Sequence, residues 1–310
     1  MGEPAVTAGR PFSSYKGGVP IAEIQSIQWF PGHMAKTRRK IQEDLKLVDI
    51  VAEILDARVP KSSSNPVLRE IIQRKPKVVL LNKSDMADPA QTSKWVSYYA
   101  SQGEKAIPLE SKTGRGVNSF YPAIREVLKP QIEAWERKGM VGRPIRVMVV
   151  GIPNVGKSSF INRMIRGGAA GKAEVQDRPG VTRQNRWFTV GKGFELLDTP
   201  GVLWPKFEDP IVGQHLAFTG AVRDEVLDIE GLAASLLELL LELYPNAINT
   251  RYKTDISPED HLPGHELLER VGRKRGMLIS GGEVNTERAA ITVLDEYRGG
   301  KLGRITLERP

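Results

Sequence analysis

Short apolar runs alternate with amphipathic stretches in the part of the chain that precedes Pro210. Four of the runs have the length and composition of buried strands: Val48–Leu55, Lys77–Leu81, Ile145–Val150 and Phe194–Leu197. Three of the intervening stretches have helical periodicity: Asn65–Arg74, Ala90–Ser101 and Val117–Leu128. Strands that alternate with helices form right-handed βαβ units. The pattern therefore predicts an α/β fold with a doubly wound, mostly parallel sheet.

The pattern changes after Pro210, where the strand-like runs end. Three amphipathic stretches in this region predict helices: Gly231–Tyr244, Ser257–Gly272 and Val284–Tyr297. Residues 1–25 carry Gly, Pro and Ser without periodicity. We therefore predict a flexible N-terminal extension over 1–25, an α/β domain over 26–208 and a smaller helical C-terminal domain over 209–310.

Composition excludes several kinds of site. The sequence contains no cysteine, which rules out disulfides, iron–sulfur clusters and a cysteine nucleophile, and its 4 histidines lack zinc-site spacing. The longest nearly apolar run, Leu232–Leu243, is interrupted by polar residues and is shorter than the about 20 residues that span a bilayer. The first 25 residues lack the apolar core of a secretory signal. We therefore expect a cytoplasmic protein without a membrane partner.

The net charge of +8 is unevenly distributed along the chain. Residues 1–208 contain 33 Lys and Arg against 20 Asp and Glu, whereas residues 209–310 contain 12 against 17. Lys and Arg bind polyanions because they release the counterions that surround phosphates. The charge distribution therefore favours a nucleic-acid partner.

A glycine-rich segment follows the predicted strand Ile145–Val150. Its sequence, Gly151-Ile-Pro-Asn-Val-Gly156-Lys157-Ser158, has the spacing of a phosphate-binding loop before a helix. Backbone N–H groups and the helix dipole of such a loop attract phosphates. We expect Lys157 to reach the β- and γ-phosphates and the Ser158 hydroxyl to bind Mg²⁺. The whole predicted phosphate-binding set is Asn154, Val155, Gly156, Lys157, Ser158, Ser159 and Gly201.

A second motif, Asn82-Lys83-Ser84-Asp85, follows the predicted strand Lys77–Leu81 and therefore lies at the ligand-binding edge of the sheet. The Asp85 carboxylate can accept hydrogen bonds from guanine N1–H and the exocyclic amine, which adenine does not offer. Ser111 and Lys112 follow a short apolar segment and can present a backbone N–H to guanine O6. Together with the phosphate loop, these residues predict a GTP site rather than an ATP site.

A third motif, Asp198-Thr199-Pro200-Gly201, follows the predicted strand Phe194–Leu197. Asp198 fits a water-mediated Mg²⁺ ligand, and the Gly201 N–H fits a γ-phosphate sensor. Thr182 lies between this motif and the phosphate loop. We therefore predict that Thr182 is the switch threonine that closes over Mg²⁺ in the triphosphate state.

The order of these motifs is circularly permuted. In most GTPases the phosphate loop and the switch elements precede the guanine-binding motifs, whereas here Asn82–Asp85 and Ser111–Lys112 come first. Strand packing builds such a site whatever the chain order, because chain termini usually lie close together at the surface. The fold prediction is therefore a circularly permuted P-loop GTPase domain followed by a helical C-terminal domain.

This combination resembles a known family, ribosome biogenesis GTPase A. The permuted order carries the resemblance together with three segments: Trp29–Met34, Asp56–Arg58 and Asp198–Pro205. The resemblance covers about residues 26–310. It implies a GTPase that acts late in assembly of the large (50S) ribosomal subunit, contacts rRNA and is stimulated by the precursor particle. We expect GTP and GDP as ligands and a monomer away from the ribosome.

Val202 stands where many GTPases have the glutamine that orients the attacking water. Unaided hydrolysis should therefore be slow. The resemblance implies that His33 takes over the catalytic role, although His33 could instead contact rRNA. The resemblance also implies that Asn154 coordinates an activating K⁺, although Asn154 could simply shape the loop.

Three basic clusters are candidates for rRNA contact. They are Lys36, Arg38, Arg39 and Lys40; Arg58, Lys61 and Ser62–Ser64; and Arg270, Arg273, Lys274 and Arg275. An alternative to an assembly enzyme is a GTP-gated rRNA-binding adaptor whose hydrolysis is incidental, which Val202 would permit. A small-subunit GTPase is disfavoured because such relatives carry a cysteine zinc site.

Overall fold

The computed structural model describes residues 31–167, 175–176, 186–204 and 207–310. The predicted extension over 1–25 and the predicted switch residue Thr182 lie outside these residues. His33 falls in the first helix, but its side chain lies outside those that the structure describes.

A 7-stranded sheet lies at the centre of the described residues. Its strands are β1 (Ile50–Asp56), β2 (Lys77–Asn82), β3 (Lys105–Pro108), β4 (Ile145–Val150), β5 (Val175–Gln176), β6 (Arg186–Val190) and β7 (Phe194–Asp198). They are arranged in the order β3-β2-β1-β4-β7-β6-β5. The first five strands of this order are parallel, whereas β6 pairs antiparallel with both β7 and β5. This arrangement confirms the mostly parallel α/β sheet.

Helices flank the sheet and continue beyond it. They are α1 (Pro31–Asp44), α2 (Pro66–Ile72), α3 (Pro89–Ser101), α4 (Phe120–Val127), α5 (Lys129–Arg137), α6 (Lys157–Gly167), α7 (Pro210–Phe218), α8 (Ile229–Leu243), α9 (Pro245–Tyr252), α10 (Gly264–Lys274) and α11 (Thr286–Arg298). Short polar side chains cap several N-termini: Asn65 accepts from Leu68 N, Asp88 from Ala90 N and Asp228 from Gly231 N. These caps satisfy N–H groups that a helix leaves unpaired, so they fix where the helices begin.

Two predicted helices are shorter than expected. The stretch Val117–Leu128 starts as a 3₁₀ turn over Val117–Ser119, and the α-helix begins at Phe120. The stretch Ser257–Gly272 is divided into a 3₁₀ turn over Pro258–Asp260 and helix α10. His261 between them has a left-handed backbone (φ 47°), and Pro263 has no N–H to continue a helix.

The C-terminal segment runs back across the sheet edge that carries Asp56 and Asn82. Ile305 N donates to Met86 O (2.9 Å) and Leu307 N donates to Arg58 O (2.8 Å). Buried side chains from the predicted α/β and helical domains share one hydrophobic cluster, which includes Phe120 and Leu236. The division at residue 209 stays a prediction, and the two regions make extensive contact.

No single helix among the described residues is long and apolar enough to cross a bilayer; α8 and α9 meet that criterion only as a pair bent by 116°.

Gly116 closes the loop that carries Ser111 and Lys112, and it has a left-handed φ of 76°. A Cβ atom at this position would lie 2.5 Å from Pro108 O, whereas a Cβ atom at Gly103, with a φ of 73°, would meet nothing within 4 Å. We expect Gly103→Ala to lower the free energy of unfolding by about 1 kcal/mol through backbone strain alone. Gly116→Ala should lower it by about 1–2 kcal/mol more, because the backbone must also move. Urea unfolding of both variants measures the difference, and equal losses would contradict the close contact.

Candidate nucleotide-binding site

The predicted phosphate loop connects strand β4 to helix α6, as its motif requires. Gly151 allows the loop to approach β1, since a Cβ atom there would lie 2.6 Å from Ile54 O. The buried ammonium of Lys157 donates to the carbonyl oxygens of Gly151 (3.0 Å) and Ile152 (2.8 Å). The lysine is therefore held at the mouth of the loop, where its positive charge adds to that of the helix N-terminus.

A cleft of about 670 Å³ opens beside this loop. Ten of the predicted site residues line it: Asn82, Lys83, Asp85, Ser111, Lys112, Asn154, Gly156, Lys157, Ser158 and Ser159. Residues that are far apart in the sequence thus meet at the carboxyl ends of the parallel strands, where ligands bind in open α/β sheets.

Asn82 links the segments predicted to bind guanine and phosphate. Its side-chain amide nitrogen donates to Val155 O (2.7 Å), and its Oδ1 accepts from the backbone N (3.0 Å) and the hydroxyl (2.9 Å) of Ser111. Any side chain at Gly156 would collide with this amide. Asn82 and Val155 are therefore organising residues: they fix the spacing between the loops from a buried position.

Asp198 and Gly201 lie beside Lys157 at the other end of the phosphate loop. A Cβ atom at Gly201 would be 2.9 Å from Lys157 Nζ, so only a glycine leaves this approach open. Thr199 anchors the segment by donating its hydroxyl to Val149 O (2.6 Å). Burial raises the pKa of Asp198, and the positive charge of Lys157 opposes that rise. The Lys157 ammonium and the Asp198 carboxylate therefore face the same space.

The opposite wall of the cleft comes from the C-terminal helices, which the sequence motifs did not indicate. Thr219, Gly220, Arg223 and Asp224 line it together with Arg298 at the end of α11. The side-chain amide of Asn154 donates to Gly220 O. Arg298 holds this wall in place through two bonds to the Asp224 carboxylate (2.6 and 2.7 Å). No local pattern marks these residues, because their role depends on how α11 packs.

The second basic cluster is not an rRNA-contact surface at most of its positions. Arg58, Ser62 and Ser63 are each 1% exposed, so their polar groups bond within the protein and do not face solvent. Lys61 is exposed. The other two clusters keep exposed cations. They are Lys36, Arg38 and Arg39 on α1, Arg270, Arg273 and Lys274 on α10, and Arg275 directly after α10.

Fold and site together define a circularly permuted P-loop GTPase. A sequence profile described as "50S ribosome-binding GTPase" matches residues 146–251. The solved structure of GDP-bound YlqF from Thermotoga maritima is 29% identical with a TM-score of 0.62, covering 88% of this chain and 99% of that one. The GNP-bound YlqF from the same organism is 28% identical with a TM-score of 0.60, covering 89% and 98%.

Two curated relatives extend the comparison over nearly the whole chain. Ribosome biogenesis GTPase A of Bacillus cereus is 45% identical over 284 residues, which is 92% of this chain and 94% of that protein. The protein of the same name from Thermotoga maritima is 32% identical over 92% of this chain and 95% of its own length. The chain belongs to the ribosome biogenesis GTPase A family, and its enzymatic activity is GTP hydrolysis.

The buried ammonium of Lys157 should titrate near pH 8 in the nucleotide-free protein. Burial lowers its pKa to about 8, although Asp198 opposes the shift. Lysine in water titrates at about 10.4. Bound phosphates favour the charged form, so GDP should raise this pKa above that of the free protein. The ammonium is thus charged below about pH 8 in the free protein and stays charged to higher pH in the complex.

The measurement is a ¹³C NMR titration of protein that carries ¹³C-methylated lysines. Lys157→Arg, which lacks the resonance, assigns it. A Lys157 resonance that titrates near 10.4 without nucleotide, or one that GDP leaves unchanged, would contradict this account.

Proposed function

We propose that this GTPase drives a late step in the assembly of the large (50S) ribosomal subunit and that the precursor particle stimulates its hydrolysis. One observation carries the proposal: Val202 follows Gly201 directly and has no group to orient an attacking water. Val202 is tied to the fold by its carbonyl, which accepts from the Asn65 amide (2.8 Å). The water-orienting group must therefore come from another segment or from the particle.

Each predicted site residue has a defined part in this proposed function. The Asp85 carboxylate selects guanine, and Asn82 keeps the base-binding and phosphate-binding loops in register through its bond to Val155. Lys157 neutralises charge on the β- and γ-phosphates, and the backbone N–H of Gly201 reports the γ-phosphate. His33 orients the water when helix α1 docks on the particle.

The donor set fits Mg²⁺. Mg²⁺ prefers oxygen ligands and is usually held by few protein groups together with nucleotide phosphates and water. Ser158 and Asp198 supply a hydroxyl and a carboxylate beside Lys157, and the described residues contain no cluster of three or more acidic or histidine side chains that would suit another metal. We propose that Ser158, Asp198 and Thr182 hold Mg²⁺, which stabilises charge on the phosphates. Asn154 would supply its amide oxygen to K⁺.

The exposed cations of α1 and α10 suit the rRNA of the precursor. Each phosphate that such a cation neutralises makes binding more sensitive to salt. We propose that the protein works in the cytoplasm and is a monomer away from the particle.

The test is steady-state GTP turnover with and without purified large-subunit precursors, in K⁺ and in Na⁺ buffer, with small subunits as the matched control. We expect large-subunit particles alone to raise turnover, and the increase to be larger in K⁺. Tight GTP-dependent particle binding without faster turnover would instead favour the adaptor function. No binding and no stimulation would refute the assignment to the large subunit.

A further inference from the structure

A buried cluster of charges lies under the guanine-binding end of the cleft. Asp56 ends strand β1 directly beside Asn82 at the end of β2. Its carboxylate accepts from the Lys83 ammonium (2.9 Å) and from Arg58 Nε (2.9 Å) and Nη2 (2.8 Å). The side chains of Asp56 and Arg58 are 2% and 1% exposed, so this pairing takes place away from solvent.

The cluster connects the guanine-binding motif to the C-terminal helices. Arg58 Nη1 donates to the carbonyl oxygens of Tyr297 (3.2 Å) and Arg298 (3.3 Å), in the last turn of α11. The last carbonyls of a helix have no intrahelical partner and carry partial negative charge, so a guanidinium is a suitable partner. Arg58 thus bridges β1 and α11.

The last turn of α11 also supports the other wall of the cleft. The Arg298 side chain donates to Ala217 O (2.9 Å) and Phe218 O (3.2 Å) in addition to its fork on Asp224. The guanine-binding side of the cleft and its opposite wall therefore both bond to the last turn of α11. Movement of that helix end would change the width of the cleft.

Lys83 needs this support to hold its position. Its backbone is left-handed (φ 61°), a strained conformation for a residue with a side chain. The side chain lines the cleft next to Asp85, while its ammonium is bound to Asp56. Because both the backbone and the ammonium of Lys83 are held in place, its methylene groups form a fixed part of the cleft wall. Burial lowers the pKa of Lys83, and the negative charge of Asp56 opposes that shift.

We propose that Asp56 and Arg58 are positioning residues for guanine-nucleotide binding. Asp56 fixes Lys83 along the base site, and Arg58 fastens Asp56 to the end of α11. Guanine recognition therefore depends on the docking of the C-terminal helices, and nucleotide binding in turn stabilises that docking. Neither residue touches the reacting atoms.

The test compares Arg58→Lys with Arg69→Lys in the full-length protein. Arg69 makes an ion pair with Glu53 (2.9 Å), which lies on the same strand as Asp56. The side chain of Glu53 is 1% exposed and that of Arg69 is 27% exposed, and the pair does not reach the cleft. Lysine keeps the charge and loses the planar fork that bonds Asp56 and α11 together. Two quantities are measured: Kd for fluorescent GDP and IDP, and hydrogen exchange of residues 289–302 with and without GDP. Asp56→Asn, which keeps shape and removes charge, is the second variant.

We expect Arg58→Lys and Asp56→Asn to raise the Kd for GDP by about tenfold or more, since each weakens hydrogen bonds to charged groups. The preference for GDP over IDP, which lacks the exocyclic amine that Asp85 reads, should fall. GDP should protect 289–302 in the wild type and in Arg69→Lys, and protect it less in Arg58→Lys. An unchanged Kd for GDP in both variants would overturn the proposal. So would a loss of GDP affinity equal to that of Arg69→Lys with an unchanged preference for GDP over IDP.

Discussion

Asp85→Asn is expected to move the nucleotide preference of this GTPase from guanine to xanthine. The carboxylate of Asp85 lines the cleft between Lys83 and Met86 and can accept from both N1–H and the exocyclic amine of guanine. An asparagine keeps one acceptor and places an amide donor against the amine, which leaves buried polar groups unpaired. We expect GTP affinity to fall on the order of 10⁴-fold, because sites built on hydrogen bonds reject ligands that cannot form them. Xanthine has a carbonyl at that position and should bind well.

Competition binding with GTP, XTP and ATP measures the change. Asp88→Asn is the matched control, since Asp88 caps α3 from the same loop and asparagine caps equally well. The control should keep its GTP preference. If Asp85→Asn bound GTP normally, Asp85 would not be the residue that reads the base.

His33→Ala is expected to remove the particle-stimulated part of GTP hydrolysis. A positioned acid–base or water-orienting group contributes about 10²–10⁴-fold to a rate, and Val202 contributes none. Binding of GTP should be unchanged because the described cleft is formed by other segments. The measurement is single-turnover hydrolysis at saturating concentrations of precursor particles, which separates the chemical step from particle affinity.

Lys36→Ala is the control on the same helix. Lys36 is exposed, so its loss should weaken particle binding and reduce its salt dependence while leaving saturated turnover intact. If His33→Ala behaved like Lys36→Ala, His33 would be an rRNA contact. The water-orienting group would then come from the particle.

The elements that could be predicted from the sequence are those with a strong local hydrophobic pattern. Buried parallel strands are continuous apolar runs, so the predicted runs differ from β1, β2, β4 and β7 by two residues at most. Strand β6 was not predicted: only Trp187 and Val190 are buried in it, and a half-exposed edge-side strand carries a weaker signal. Helices α5, α7 and α9 were also missed. They begin at or beside Pro130, Pro210 and Pro245, and proline is favoured in the first turn of a helix.

Some features of the candidate site could likewise be predicted from the sequence, and others could not. The phosphate-binding and guanine-binding motifs could be read from the sequence because each needs particular residues at short, fixed spacing. Their convergence at one cleft follows from the parallel sheet, which the pattern also predicted. The burial of Arg58 was not foreseen, because an arginine near lysine and serines has the same local signature whether it faces rRNA or a helix end. The roles predicted for His33 and Thr182 stay predictions.

By itself the sequence determined the nucleotide chemistry and the permuted order of the motifs, since each motif is a short run of particular residues at fixed spacing. Only the tertiary structure decided that α11 supports both walls of the cleft and that Asp56 joins Lys83 to Arg58. The contact of Arg58 with α11 joins residues 240 positions apart, and the contacts of Arg298 with the opposite wall join residues 74 to 81 positions apart. They depend on the packing of whole helices against the sheet, for which no short sequence pattern carries the information.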